Sequence, residues 1–141
     1  MGLSKHWATD KKKEAGIVIS FGDNGFGENM LFNISRMNRT NKTYSKKLAE
    51  VFESHKRELQ LEILPEEIAE DLMLDVFVSS IINSMQNIPL SDVTGNEKDK
   101  GIADDTIENR KAVMKNLPDL YDELQARAKS IASFRGSNAK N

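Results

Sequence analysis

The apolar positions follow a short, strand-like period near the start of the chain and a longer, helical one afterwards. Between Gly16 and Arg36 they fall into two short runs rich in β-branched and aromatic residues, Ile17-Val18-Ile19 and Met30-Leu31-Phe32-Asn33-Ile34. Phe21-Gly22-Asp23-Asn24-Gly25-Phe26-Gly27-Glu28 lies between them. Asn and Gly tolerate the positive φ of a tight reversal, so this segment predicts a β-hairpin whose connection is longer than two residues and mobile. A phosphate-cradling loop would need a helix starting at its last glycine. Here Glu28-Asn29 leads into a strand-like run instead, and the G-x-x-G-x-G spacing matches neither the dinucleotide nor the nucleotide-phosphate pattern. Asp23 and Glu28 also fall short of the alternating carboxylates and closing Glu of a calcium loop.

From Tyr44 the period lengthens. Tyr44, Leu48, Val51, Phe52, His55 and Leu59 share one face of a helix over four turns, with Asn41 or Thr43 placed to cap it. Pro65 suits the first turn of the next helix, where Glu66 and Glu67 meet the positive end of the dipole. Residues 65–87 form the most apolar stretch, with Ile68, Leu72, Met73, Val76, Phe77, Ile81 and Met85 as a stripe widened by Leu74, Val78, Ile82 and Ile88. Such a helix is expected at the centre of a bundle. Residues 91–101 have no apolar period and two glycines, which predicts a solvated loop. Asp104 or Asp105 is placed to cap a short helix carrying Ile107, Val113, Met114 and Leu117. Pro118 starts a last one carrying Leu120, Tyr121, Leu124, Ala128 and Ile131. The expected fold is mainly α, an N-terminal β-hairpin followed by a small bundle of about four helices. One domain spans 15–135, between flexible tails at 1–14 and 136–141.

Composition narrows the chemistry. The chain has 141 residues, 38% hydrophobic and 30% charged, and no apolar run long enough for a membrane span. Its first residues lack the apolar centre of a secretory signal, which points to the cytoplasm. Without cysteine there is no thiol nucleophile and no thiolate metal site. The two histidines are far apart in sequence: His6 lies in the terminal segment, and His55 falls on an apolar helix face where a packed role is expected. There is no Gly-x-Ser-x-Gly elbow. The pairs Glu66/Glu70 and Asp71/Asp75 have helical i, i+4 spacing and are expected on a solvated face, as is Lys11-Lys12-Lys13 in its tail. No catalytic residue, cofactor or metal ligand is therefore assigned. Residues 1–60 carry 11 Lys+Arg against 7 Asp+Glu (net +4), and residues 61–141 carry 9 against 15 (net −6). This asymmetry is too mild for a nucleic-acid arm.

Three phrases carry a family likeness: FNISRMNRTNKTYSKKL (Phe32 to Leu48), ILPEEIAEDLMLDVFVSSIINSM (Ile63 to Met85) and TIENRKAVMKNLPDLYDELQARAKSIASF (Thr106 to Phe134). In pattern and order they resemble the tail assembly chaperones of tailed bacteriophages, over about residues 15–135. The resemblance implies a non-enzymatic protein of the bacterial host cytoplasm. Such a protein binds and solubilises the tape measure protein during tail morphogenesis and is absent from the finished particle. Candidate contacts are the apolar residues left over once a core is built: Leu74, Val78, Ile82 and Tyr121. Self-association stays open. One alternative is a structural component of the tail or head–tail joint that is retained in the virion. Another is a small helical DNA-binding regulator, although Thr106 to Phe134 holds five cations against four carboxylates, far short of a basic recognition helix.

Overall fold

A computed structural model describes residues 10–130 and 132–135, together with Leu3 and Ala8. His6 and the 136–141 tail lie outside the described residues. The chain enters through a short helix, α1 (Lys11–Ala15), which occupies part of the expected tail. Asp10 caps it by accepting from the Lys12 amide at 2.9 Å. The Asp10 amide donates to the Phe134 carbonyl at 2.9 Å, tying the start of the fold to its end.

The hairpin follows as β1 (Ile17–Asp23) and β2 (Asn29–Ile34). Ile17 pairs with Ile34 and Ile19 with Phe32, so alternate residues of both strands turn inward. A bulge at Phe21-Gly22 ends the regular ladder. The connection is pinned rather than loose. Asn24 is buried, its Oδ1 accepts from the Phe26 and Glu28 amides, and its Nδ2 donates to the Asn87 carbonyl at 2.9 Å.

Asn41 caps α2 (Lys42–Ser54), its Oδ1 accepting from the Tyr44 amide at 3.1 Å. The single helix expected to run on through Leu59 is interrupted at His55, and a short α3 (Lys56–Gln60) continues. Glu62 then takes a left-handed conformation, and Pro65 opens α4 (Glu66–Ser80), which runs beside α2.

The largest correction concerns the end of the expected core helix. Helix α4 stops at Ser80, and Ile82–Gln86 is a strand, β3, paired antiparallel to β2. The described residues thus form a mixed α/β fold, a three-stranded sheet in the order β1-β2-β3 with helices, and not a mainly helical bundle carrying a hairpin. The misreading has a physical source. Ile82 pairs with Ile34, and Met85 with Phe32, across a register shift that leaves Asn83 as the extra residue. The bulge sets two inward-facing residues three positions apart, which imitates the helical i, i+3 period.

After β3 come α5 (Leu90–Thr94), α6 (Ile107–Asn116), α7 (Pro118–Lys129) and a 3-10 turn (Ala132–Phe134). The segment expected to be a solvated loop opens with the one-turn helix α5, and the rest, 95–101, is non-helical and largely exposed. It is closed by hydrogen bonds from Leu90 N to Gly101 O and from Ala103 N to Ile88 O, and by Asn116 Nδ2 donating to the Asp92 and Val93 carbonyls. Thr106, and neither Asp104 nor Asp105, caps α6. Pro118 starts α7 as its spacing indicated. The core lies between the inner sheet face and the helices, with Phe32, Ile34, Phe77, Ile81, Met114 and Leu124 at 2% exposure or less.

A buried cation holds the turn from α4 to β3. Arg110, on α6, donates to the carbonyls of Val78 (2.9 Å), Ile82 (2.7 Å) and Asn83 (3.1 Å). The same guanidinium forks onto Asp105 at 2.6 and 3.0 Å. Asp105 in turn accepts from the Met85 amide at 3.2 Å. One orphan carbonyl at the end of α4, that of Val78, and part of the outer edge of β3 are thereby satisfied.

Candidate binding surface

Three of the four residues expected to meet a partner are inside the protein. Leu74 is 5% exposed, Val78 is fully buried and Ile82 is 1% exposed. Leu74 and Val78 face inward from α4, and Ile82 faces inward from β3, where the chain has already left the helix. None is available to a client in this fold. Tyr121 is half-buried and stacks edge-on against Phe77, with ring centroids 5.1 Å apart, so its ring serves packing too. Burial is the first cause that raises its hydroxyl pKa, and the Asp122 charge adds to it.

The apolar side chains left uncovered lie elsewhere. Phe52, Leu59, Leu61, Ile63 and Ile68 are all exposed, Ile63 at 62% and Leu61 at 56%. They belong to the end of α2, to α3, and to the turn into the first turns of α4. Neither α2 nor α3 has a buried residue. Tyr44, Leu48 and Val51 on α2 are half-covered, whereas Phe52 and Leu59 are exposed. The Ile63 amide donates to the Glu58 carbonyl, which folds the turn back on α3 as an apolar tip. Charged residues flank this stretch in the sequence, Lys56 and Arg57 before Leu59 and Glu62, Glu66 and Glu67 after it. An apolar surface with a polar surround marks a contact site.

Of the two carboxylate pairs singled out for their i, i+4 spacing, Asp71/Asp75 is tied up in ion pairs. Lys111 Nζ lies 2.9 Å from Asp71 and 2.8 Å from Asp75, and Lys115 Nζ lies 2.8 Å from Asp71. Hydrogen bonds from Lys115 and then Lys111 hold the Asp71 carboxyl below its usual range, and Asp75 followed by Asp71 raises the Lys111 ammonium. Groups locked in their charged forms make poor proton shuttles near neutrality. His55 sits at the end of α2 with Nδ1 3.2 Å from the Val51 carbonyl, a packed position. Among the described residues no cluster of His, Cys, Asp or Glu could hold a metal ion, and no helix is long and apolar enough to cross a membrane.

A groove of about 490 Å³ opens between the hairpin and the α6–α7 corner, lined by Phe21, Met30, Phe32, Val113, Leu117 and Leu120 among others. Asn116, which also borders it, spends its amide on the α5 carbonyls. Comparison with protein-family models, curated proteins and solved structures finds no match.

Signals for the tip were present in the sequence. Leu59-Gln60-Leu61-Glu62-Ile63 alternates apolar and polar residues across the end of α3 and the turn that follows, a pattern that does not continue a helix face.

Proposed function

We propose that this chain is a non-catalytic tail assembly chaperone of a tailed phage, which binds the tape measure protein in the host cytoplasm and keeps it soluble while the tail is built. The observation that supports this reading is the exposed apolar tip formed by Phe52, Leu59, Leu61, Ile63 and Ile68. A long helical client offers apolar stripes, and small apolar tips of many copies cover such stripes reversibly. Contact moves from the buried trio Leu74, Val78 and Ile82 to side chains that solvent already reaches. The likeness of the three sequence phrases to the chaperone family supplies the identity of the client.

Co-expression of the chain with its phage's tape measure protein tests the reading. The soluble yield of client should rise with chaperone dose and saturate at several copies per client, because a chaperone that coats its client acts by binding and not by turnover. The double variant Leu61→Asp/Ile63→Asp should lose the effect while melting near the parent temperature, since both side chains are exposed. Solubilisation at substoichiometric amounts, or none at large excess, contradicts the proposal. Recovery of the chain from purified virions would favour the structural-component reading.

A further inference from the structure

We propose that Asn24-Gly25 is a latent deamidation site, which the fold keeps closed and which converts irreversibly when the hairpin connection opens. It is the only Asn-Gly step in the chain. In an unfolded chain this step is the readiest to react, because glycine sets no Cβ beside the attacking amide and leaves the backbone free to swing. The Gly25 nitrogen gives up its proton and attacks Asn24 Cγ, the Cγ–Nδ2 bond breaks, and ammonia leaves with the proton. The five-membered imide then takes up water at either carbonyl. It opens to aspartate, or to isoaspartate, whose main chain runs through the former side chain. One water is consumed, one ammonia is released, and no other reactant is needed.

Every group in that step is held in the folded chain. Asn24 is 9% exposed, while the residues on either side of it, from Phe21 to Glu28, are exposed. Its Oδ1 accepts from the Phe26 and Glu28 amides at 2.7 and 3.3 Å, and its Nδ2 donates to the Asn87 carbonyl at 2.9 Å. Its own amide donates to the Glu28 carbonyl at 2.9 Å. The nucleophile is engaged as well, since the Gly25 amide donates to Asp23 Oδ2 at 2.8 Å. Ring closure turns the planar Cγ tetrahedral and draws the side chain away from Asn87. These bonds must break first, so reaction proceeds from the locally open fraction alone. The product does not close again. Aspartate sets a carboxylate oxygen where Nδ2 now meets the Asn87 carbonyl, in a connection that already carries Asp23 and Glu28. Isoaspartate lengthens the main chain by a methylene and takes the acceptor away from the Phe26 and Glu28 amides. The inference does not depend on the proposed client.

Tryptic peptide mapping of the full chain, incubated in mildly alkaline buffer, reads the conversion. Fragment 14–36 carries Asn24 together with Asn29 and Asn33, which serve as internal controls. Asn24 should convert at least about tenfold more slowly in the folded chain than in the same chain unfolded in urea, the ratio being set by local opening. In a series of urea concentrations below the unfolding transition, the rate should climb in step with hydrogen exchange of the Glu28 amide. Asn87 has φ 62° and its Nδ2 donates to the Asn29 carbonyl, so Asn87→Gly keeps the backbone conformation and removes that tether. It should speed both conversion and Glu28 exchange, with circular dichroism checking that the variant folds. Asn24→Asp, which has the aspartate product's side chain, should exchange its Phe26 and Glu28 amides faster than the parent. Equal conversion rates in the folded and unfolded chain overturn the proposal. So does conversion that stays flat while Glu28 exchange rises with urea, or an Asn24→Asp variant whose connection is as protected as the parent's.

Discussion

Replacing Arg110 with Met should be among the most damaging single changes on α6. Arg110 is only 9% exposed, yet it carries a charge. Met keeps most of the aliphatic volume and removes the guanidinium. Three main-chain carbonyls, those of Val78, Ile82 and Asn83, then lose this donor, and Asp105 loses its counter-ion. Each buried acceptor left unsatisfied costs about 1–3 kcal/mol, and breaking a buried pair from one side costs about 3–5 kcal/mol. These terms overlap, because Asp105 is partly exposed and keeps the Met85 amide. A total of about 3–5 kcal/mol is therefore expected, a large share of the roughly 5–15 kcal/mol that a domain possesses. At about 2–4 °C per kcal/mol for a chain near this size, the melting temperature should fall by roughly 6–20 °C. Urea unfolding followed by far-ultraviolet circular dichroism measures the loss. Arg110→Lys should recover only part of it, since an ammonium cannot fork between Asp105 and the carbonyls. A loss below about 1 kcal/mol for Arg110→Met would refute the reasoning, because it would mean that water or a local shift satisfies the α4–β3 turn without the guanidinium.

Two further perturbations probe the sheet and its charges. Gly16 has an extended backbone that any residue can adopt, but a Cβ there would lie 2.3 Å from Asn33 Oδ1, which accepts from Asn83 Nδ2 at 2.9 Å. Gly16→Ala should therefore cost about 1–3 kcal/mol in urea unfolding, and much less in an Asn33→Ala background where the clash is absent. At Asp105, burial raises the carboxyl pKa, but the Arg110 and Met85 hydrogen bonds and the Arg110 charge outweigh it, so the net shift is downward. Asp71 is likewise lowered by Lys115 and Lys111. Carboxyls with depressed folded pKa values contribute stability that is present above their unfolded value, about pH 4, and lost as pH falls through the folded one. The urea midpoint of the parent should thus fall more steeply below pH 4 than that of Asp105→Asn, and equal slopes would contradict the assignment.

Local punctuation was the most legible part of the fold. The Asn-Gly reversal, the Asn41 cap, Pro65 and Pro118 act within a few residues, so their roles can be read from neighbours alone. Strand β3 was hidden because its bulge spaces Ile82 and Met85 like helix positions, and the strand it pairs with lies some 50 residues upstream. The role of Arg110 was hidden for a related reason, since three of its acceptors are main-chain carbonyls with no side-chain signature. The binding surface was the least legible. A period shows which residues share a side, but it does not show whether anything covers that side. Val78 and Phe52 look alike in the sequence, and the fold buries one while leaving the other half exposed.

Site-specific photocrosslinking tests the central claim, that the apolar tip is the client surface. A photoreactive phenylalanine analogue would replace Ile63 in one version of the full chain and Gln86, exposed on β3 away from the tip, in another. Each would be co-expressed with the tape measure protein and irradiated. The account expects a crosslinked product of chain and client from position 63, lost when Leu61 and Phe52 are also changed to Asp, and little from position 86. Equal crosslinking from both positions, or product from position 86 alone, would contradict it.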